Sequence, residues 1–158
     1  MKGKQIGVAI IGSGRIGALR AALAAAHPSV GFLAVSDQDP DRARQLARKV
    51  GAQFHSGDNL EAIARPEVDA VIVSTSEHEH ALPVLQALER KKALLVEKPV
   101  ATNLADADRI IRAAAEAGTS IRVGYSRRFQ RHYLIAKERI ASGALGNILG
   151  GTARIYNS

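Results

Sequence analysis

Short runs of β-branched and other apolar residues alternate with alanine-rich amphipathic segments from residue 4 to about residue 124. The apolar runs predict strands over Gln5–Ile11, Gly31–Ser36, Ala70–Ser74, Ala93–Val96 and Ile121–Val123. The amphipathic segments predict helices over Arg15–Ala26, Pro40–Val50, Glu79–Arg90 and Leu104–Ala117. Continuously apolar strands are typical of a parallel sheet that is covered on both faces. Because such strands alternate with helices, the pattern predicts an α/β fold with a doubly wound parallel sheet.

The helix predicted over Leu104–Ala117 has the clearest periodicity. Its apolar residues form one stripe of the kind that faces a core, namely Leu104, Ala107, Ile111, Ala114 and Ala115. Thr102 or Asn103 can cap the start of this helix, and Gly118 can end it.

After Gly124 the pattern changes. Residues 125–133 are polar and rich in arginine, Leu134–Ala141 predicts one more helix, and Ile148–Tyr156 predicts a strand. A strand in that place presents an unpaired edge, through which a second copy could pair to give a homo-oligomer. We therefore expect residues 1–124 to form one domain. Residues 125–158 are expected to hold a linker helix and the first strand of a second α/β domain that is truncated or missing.

The composition is that of a globular protein, with 46% hydrophobic and 23% charged residues among 158. Cysteine is absent, which excludes disulfides, thiolate metal sites and cysteine nucleophiles, and which fits the reducing cytoplasm. No apolar run in the sequence has the length that a membrane span needs. We therefore expect a cytoplasmic protein without membrane contact.

The net charge of +7 is unevenly distributed along the chain. Residues 119–158 carry seven basic residues and one acidic residue, so +6 of the +7 lies there. Nucleic-acid binding through residues 127–139 is one interpretation, but the chain has few aromatic residues and no nucleic-acid-binding motif. We expect this basic segment to meet an anionic ligand or an acidic surface, and we expect no nucleic acid as a partner.

A glycine-rich turn, Gly12-Ser13-Gly14-Arg15-Ile16-Gly17, lies between the first predicted strand and the first predicted helix and matches G-x-G-x-x-G. In such a turn the second glycine lets a pyrophosphate approach the backbone, and the third lets the helix pack closely. Asp37 ends the second strand, where a carboxylate binds ribose hydroxyls. Asp39 is better placed than Asp37 to cap the helix at Pro40. Together these features predict a dinucleotide site, and the carboxylate, which repels a 2′-phosphate, favours NAD over NADP.

Polar residues also follow the next strand, in the segment Ser74-Thr75-Ser76-Glu77-His78-Glu79-His80. Ligands of open parallel sheets sit at the carboxyl ends of the strands, so this loop should line the cleft. His78 and His80 could suggest a metal, but a His-x-His pair at a helix start does not place both rings on one face. We expect solvated capping groups there and no metal.

The segment Glu97-Lys98-Pro99 comes directly after the predicted strand Ala93–Val96. Lys98 could be an ordinary surface charge. Beside a nicotinamide ring, however, its ammonium group could polarise a substrate oxygen or share its proton during hydride transfer. Pro99 could fix the backbone there as a cis peptide. Arg127 and Arg128 follow the last strand, where arginine suits a phosphate, a carboxylate or a hydroxylated substrate.

The segments GSGRIG, STSEHEHA, EKPVA and GYSRRF, in that order, closely resemble the N-terminal half of the glucose–fructose oxidoreductase / inositol dehydrogenase (Gfo/Idh/MocA) family. The resemblance covers essentially the whole chain. It implies a Rossmann NAD(P)-binding domain followed by an α/β domain with a large open sheet. Substrates in the family are mostly sugars, polyols and their oxidised forms.

The resemblance also implies roles for individual residues. Those that match the pyrophosphate loop are Gly12, Gly14, Arg15 and Ile16. Those that match the loop under the cofactor are Ser74, Thr75, Glu77 and His80. Asp37 matches the ribose-binding acid, and Arg128 matches an arginine of the cofactor and substrate cleft. Glu97 and Lys98 match the pair whose lysine lies beside nicotinamide and substrate.

Three positions depart from the family pattern. Proline is usual where Ser76 stands, asparagine is frequent where Glu77 stands, and glycine is common where Lys91 stands. The family's second domain also supplies an aspartate and a histidine for proton transfer, and residues 125–158 match only the link into that domain and its first strand.

We therefore predict the NAD-binding domain of an oxidoreductase that transfers a hydride between a nicotinamide cofactor and a secondary alcohol of a sugar or polyol. Lys98 is the predicted catalytic residue. By itself the chain is expected to bind the cofactor and to be catalytically incomplete. A non-catalytic NAD-binding regulatory module is the alternative.

Overall fold

The computed structural model describes residues 5–154 and 156, and a six-stranded parallel sheet lies at its centre. The strands are β1 Ile6–Ile11, β2 Val30–Ser36, β3 Phe54–Ser56, β4 Ala70–Val73, β5 Ala93–Val96 and β6 Ile121–Val123. Their order across the sheet is β3-β2-β1-β4-β5-β6, and every neighbouring pair is parallel. This is the doubly wound order of a Rossmann fold. The predicted fold class is confirmed.

The helices are α1 Arg15–Ala26, α2 Pro40–Val50, α3 Asn59–Ile63, α4 Ala81–Glu89, α5 Leu104–Ala117 and α6 Arg131–Ala141. Short 3₁₀ turns occupy Glu77–Glu79 and Ser126–Phe129. The predicted caps are confirmed. The Asp39 carboxylate accepts hydrogen bonds from the first backbone N–H groups of α2, and the Asn103 side chain accepts one from Asp106 N. Gly118 ends α5 in the left-handed conformation.

β1 is the central strand, and its side chains enter two separate cores. Val8 and Ile10 pack on the face that also holds Leu46 of α2. Ala9 and Ile11 pack on the opposite face, with Leu88 of α4 among their neighbours. Successive residues of a strand point to opposite faces, so an uninterrupted apolar run is the pattern that a strand covered on both sides requires.

The sequence pattern missed β3 and α3. β3 has three residues, with only partial burial at Phe54 and Ser56, and α3 has five residues. Neither element is long enough to show a hydrophobic period. The local signal for α3 is its cap, because the Asp58 side chain accepts a hydrogen bond from Leu60 N at 2.8 Å.

The predicted buried stripe of α5 is confirmed in part: Ala107 and Ala114 are half-buried, and the prediction is wrong for the other three residues, Leu104, Ile111 and Ala115. Leu104 and Ile111 are exposed, at 83% and 65%, and the buried residue of the helix is Ile110, at 3%. Many of the remaining residues of α5 are alanines, which fit either phase. Periodicity alone therefore could not decide which of two adjacent isoleucines faces the sheet.

Lys91 occupies the position where the family resemblance implies a glycine, and its φ is 52°. This is the left-handed region that glycine adopts freely and that costs other residues about 1 kcal/mol or more. The loop before β5 therefore keeps the backbone conformation that glycine would favour, although a lysine stands there.

The chain divides into two compact units, residues 1–124 and residues 125–158. Every described residue from Tyr125 onward is exposed. Residues 148–154 and 156 form no strand, and Ile155 lies outside the described residues. The predicted strand Ile148–Tyr156 is therefore wrong for residues 148–154 and 156. A strand needs a neighbour to pair its backbone N–H and C=O groups, and no described strand pairs with this segment. Among the helices described, none is both long and apolar enough to cross a bilayer.

The two adjacent isoleucines of α5 provide a matched test of this packing. Ile110→Ala should lower the free energy of unfolding by about 2–5 kcal/mol, because it removes a buried side chain from a packed core. Ile111→Ala should change it by no more than about 0.5 kcal/mol, because its side chain is mostly in water. Urea unfolding of both variants measures the difference. A larger loss in Ile111→Ala would show that the assigned phase of α5 is wrong.

Candidate functional site

A cavity of about 490 Å³ lies at the carboxyl ends of β1, β2 and β4. Its size is within the range of small-molecule and cofactor sites, and the strand order changes direction between β1 and β4, where such folds bind ligands. The predicted site residues on its wall are Gly12, Gly14, Arg15, Ile16, Asp37, Ser74 and Thr75. Ser76 and Glu79, from the loop expected to line the cleft, are also on the wall. The wall residues that the sequence did not predict are Gln38, Asp39, Arg42 and Asn59.

The glycine turn is built by close backbone contacts. Gly12 has a φ of 96°, and a Cβ there would lie 2.7 Å from the carbonyl oxygen of Ser74. A Cβ on Gly17 would lie 1.8 Å from the carbonyl oxygen of Gly12. Any side chain at either position would therefore collide with main-chain atoms, so both glycines are required by the fold of the turn itself.

Gly14 differs from these two glycines. A Cβ there would meet no atom within 4 Å, although the residue lies on the cavity wall. Its missing side chain leaves space in the cavity and is not needed for packing. Gly14 is also the N-cap of α1 and provides no capping side chain, so the first-turn N–H groups of this twelve-residue helix can donate to an anion in the cavity.

Asp37 is fixed by the backbone on either side of the cavity. Its Oδ2 accepts a hydrogen bond from Ser13 N at 2.6 Å, and its Oδ1 accepts one from Asp39 N at 3.0 Å. Each carboxylate oxygen has a further lone pair. The carboxylate is therefore held in place and can still accept hydrogen bonds from hydroxyl groups in the cavity.

Two buried serines belong to the site, one on the cavity wall and one bonded to a wall residue. Ser36 Oγ donates to Asn59 Oδ1 at 2.8 Å, which orients the Asn59 amide nitrogen away from Ser36. The Oγ of Ser74, which lies on the wall, is buried and has no hydrogen-bond partner among the described residues. A buried hydroxyl without a partner is costly, and a ligand in the cavity could supply one.

The cavity wall therefore fits a dinucleotide. It combines an uncapped helix start, an open cradle at Gly14, a fixed carboxylate and an orphaned hydroxyl. Gln38 Nε2 also donates to Glu79 Oε1 at 3.1 Å, which joins two segments of the wall. Gln38, Asp39 and Ser76 lie next to predicted residues in the sequence, whereas Asn59 reaches the wall only because β3 and α3 fold beside β2.

Glu77, His80, Glu97 and Lys98 are not on the wall of this cavity. Lys98 Nζ lies 3.4 Å from Glu77 Oε1, and both side chains are more than half exposed. Glu97 Oε1 accepts two hydrogen bonds from the guanidinium group of Arg20, at 2.8 Å and 2.5 Å. Arg20, which lies on α1, is a contact residue that the sequence did not single out.

His80 is not the solvated capping group that the sequence predicts. Its ring is 1% exposed. Nδ1 lies 2.7 Å from the carbonyl oxygen of Pro99, and Nε2 lies 3.2 Å from the carbonyl oxygen of Thr75. The peptide bond between Lys98 and Pro99 is cis, as the sequence suggested. Main-chain carbonyls therefore face both ring nitrogens, so an N–H group of the buried ring has a hydrogen-bond acceptor inside the protein.

Arg128 belongs to the second unit, on the turn Ser126–Phe129. Its guanidinium carbon lies 5.9 Å from the ring centroid of Tyr125. Within residues 5–154 and 156, no group of three or more His, Asp or Glu side chains is arranged to hold a metal ion.

Comparison with known proteins gives the family context. A family model described as an oxidoreductase family with a NAD-binding Rossmann fold, GFO_IDH_MocA, matches residues 6–125. An inositol 2-dehydrogenase of Mycolicibacterium vanbaalenii is 38% identical over 147 residues, which are 92% of this chain and 43% of that protein. A myo-inositol 2-dehydrogenase of Thermotoga maritima is 35% identical over 139 residues, which are 88% of this chain and 42% of that protein.

Among solved structures, a myo-inositol dehydrogenase of Lactobacillus casei in complex with NAD(H) and myo-inositol superposes with a TM-score of 0.82 at 28% identity. The match covers 90% of this chain and 43% of that one. The chain thus spans less than half the length of the curated relatives it matches.

Gly14 allows the cavity to be tested separately from the fold. Gly14→Ala should leave the free energy of unfolding within about 1 kcal/mol of the wild-type value, because its Cβ meets open space. The same methyl group enters the cavity, and we expect it to weaken binding of NAD⁺ by about tenfold or more through lost backbone–phosphate hydrogen bonds.

Urea unfolding and calorimetric titration measure the two effects of Gly14→Ala. Gly150→Ala is the matched control, because Gly150 also has open space around it and lies in the other unit. Unchanged NAD⁺ affinity in Gly14→Ala would contradict the assignment of this cavity.

Proposed function

Because the chain belongs to the Gfo/Idh/MocA oxidoreductase family, with its NAD-binding Rossmann fold, we propose that it holds NAD for hydride transfer to or from a cyclic polyol. One observation carries the proposal: the glycine turn, Asp37 and Ser74 surround a single cavity at the switch point of the sheet. The polyol follows from the named relatives, which are inositol dehydrogenases.

We assign the cofactor's pyrophosphate to the main chain around Gly14, Arg15 and Ile16, at the start of α1. The helix start carries partial positive charge and free N–H groups. We assign the adenosine ribose to Asp37, whose carboxylate is fixed by Ser13 N and Asp39 N. Ser74 and Thr75 are assigned to the part of the cofactor that crosses the end of β4.

The preference for NAD over NADP rests on the charges of the cavity wall. Asp37 would repel a 2′-phosphate at the ribose. Arg42 is also on the wall and could attract such a phosphate, but its Nε lies 3.4 Å from Asp39 Oδ2. The guanidinium charge of Arg42 is therefore already opposed by a carboxylate, and we propose that Asp37 decides the preference.

Lys98 is the catalytic residue we propose. NAD, when bound, supplies the hydride acceptor. The ammonium group of Lys98 can donate a hydrogen bond to the substrate oxygen and give that oxygen its proton when a carbonyl is reduced. In the oxidation direction, the neutral amine of Lys98 can accept the proton that leaves the alcohol. The Glu77 carboxylate, 3.4 Å from Nζ, is the group that the substrate oxygen would have to replace or join. Glu97 is held by Arg20. We therefore propose that Glu97 helps to position Lys98 and does not bind the cofactor directly.

The proposal also covers the second unit, the cellular location and the binding partners of the chain. We propose that residues 125–158 lead into the second α/β domain of the family and that Arg128 contributes to the cofactor and substrate cleft. A cytoplasmic location, a homo-oligomer and the absence of nucleic-acid partners stay predictions of the sequence.

Calorimetric titration with NAD⁺ and then NADP⁺ tests the cofactor assignment. NAD⁺ should bind in the micromolar range, about tenfold or more tightly than NADP⁺. Asp37→Asn should reduce that ratio, because it removes the charge that opposes the 2′-phosphate and keeps the side-chain shape. Asp41→Asn is the control of equal charge change, since Asp41 is exposed on α2 and pairs with Arg44. An unchanged ratio in Asp37→Asn would remove Asp37 from the proposal.

Turnover by the 158-residue chain is the second test. Incubation with NAD⁺ and myo-inositol or scyllo-inositol should give little or no NADH, because we assign only Lys98 of this chain to the reacting oxygen. NADH absorbance over time measures the rate. Polyol-dependent production of NADH at ordinary enzyme concentrations would contradict the expectation that the chain is catalytically incomplete.

A further inference from the structure

The ring of His80 lies between two segments that the proposed function uses for different purposes. The Thr75 carbonyl, 3.2 Å from Nε2, belongs to a residue on the cavity wall. The Pro99 carbonyl, 2.7 Å from Nδ1, belongs to the residue that directly follows Lys98. At 1% exposure, the ring has little contact with solvent.

The two contacts are not equivalent. A carbonyl oxygen can only accept, so each ring nitrogen must carry a proton to form a hydrogen bond with it. A nitrogen lone pair facing a carbonyl oxygen at 2.7 Å would be repelled, and the shorter contact therefore places an N–H on Nδ1. The link from His80 Nδ1 to Pro99 O is the stronger of the two.

The main chain on both sides of Lys98 is thereby held by buried or half-buried contacts. Glu97 is fixed to α1 through Arg20, and Pro99 is fixed to the start of α4 through His80. The Lys98 side chain itself is 60% exposed, and the partner the structure gives it is Glu77. The backbone from which the Lys98 side chain extends is thus held by contacts of the residues before and after it.

We propose that His80 is a positioning residue that fixes Lys98 relative to the cavity wall, and that its ring touches neither cofactor nor substrate. The inference rests on the proposed function for the role of Lys98. It differs from the role that the family resemblance suggests, because both ring nitrogens face main-chain carbonyls and the ring is not on the cavity wall.

Asparagine and glutamine at position 80 can separate the two links. The amide nitrogen of asparagine takes the place of Nδ1, and that of glutamine takes the place of Nε2. His80→Asn can therefore keep the donation to Pro99 O, whereas His80→Gln can donate to Thr75 O and loses the link to Pro99. Both variants are polar and of similar size, so the comparison between them holds even if His80→Ala fails to fold.

The readout is the rate at which an amine-acylating reagent modifies Lys98, measured by peptide mass spectrometry without cofactor. It is divided by the rate at Lys49, an exposed residue in the last turn of α2. In the wild-type chain the pairing with Glu77 should slow the reaction at Lys98. Loss of positioning should raise the ratio by about twofold to fivefold, the range that an exposed ion pair can supply. Glu77→Gln, which removes the pair directly, sets the upper limit.

We expect the ratio to rise in His80→Ala and His80→Gln and to return toward the wild-type value in His80→Asn. Equal ratios in His80→Asn and His80→Gln, with both variants folded by circular dichroism, would overturn the proposal. NAD⁺ titration of the same proteins tests the proposed function separately. If the wild-type chain does not bind NAD⁺ but the acylation rates follow the predicted order, the cofactor assignment is overturned. The positioning of Lys98 by His80 is then still supported.

Discussion

The close approach of the glycine turn to the end of β4 is the constraint on which the rest of the site depends. Gly12 lies so near the backbone of Ser74 that no side chain fits between them, and a side chain on Gly17 would approach the Gly12 carbonyl more closely still. This packing places the start of α1 beside the cavity. It also brings Ser13 N to Asp37 and, farther along the same helix, Arg20 to Glu97. A change in the turn would therefore affect both the cavity and the segment that contains Lys98.

The sequence predicts the parts of this structure that depend on local chemistry and on uninterrupted apolar runs. The strands next to β1, the caps at Asp39 and Asn103 and the end of α5 at Gly118 all follow from such signals. The pattern could not find β3 and α3, because three and five residues are too few to show a period. It also could not choose between Ile110 and Ile111, since the choice depends on which face of α5 meets the sheet.

The candidate site divides in the same way. Residues of the cavity that come from the glycine turn and the ends of β2 and β4 could be predicted, because a parallel sheet brings these ends together. Asn59 and Arg20 could not, since each reaches its partner across a long separation in sequence. His80 was recognised as a candidate but not as a buried residue. Its burial depends on the Pro99 carbonyl, which only the folded chain brings to it.

The two parts of the site are held by different kinds of contact. The glycine turn beside the cavity is held by close main-chain contacts, and the Asp37 carboxylate is fixed by two backbone N–H groups. The segment around Lys98 is held by side chains, namely Arg20, His80 and Glu77. Ser76 and Glu77 depart from the family pattern, and Glu77 contacts Lys98 directly, so the departure falls on the segment nearer the proposed chemistry. A carboxylate beside Lys98 adds a negative charge where an asparagine would add none. Under the proposed function, cofactor binding should therefore depend on the backbone of the glycine turn, whereas the role proposed for Lys98 should depend on the side chains that contact its segment.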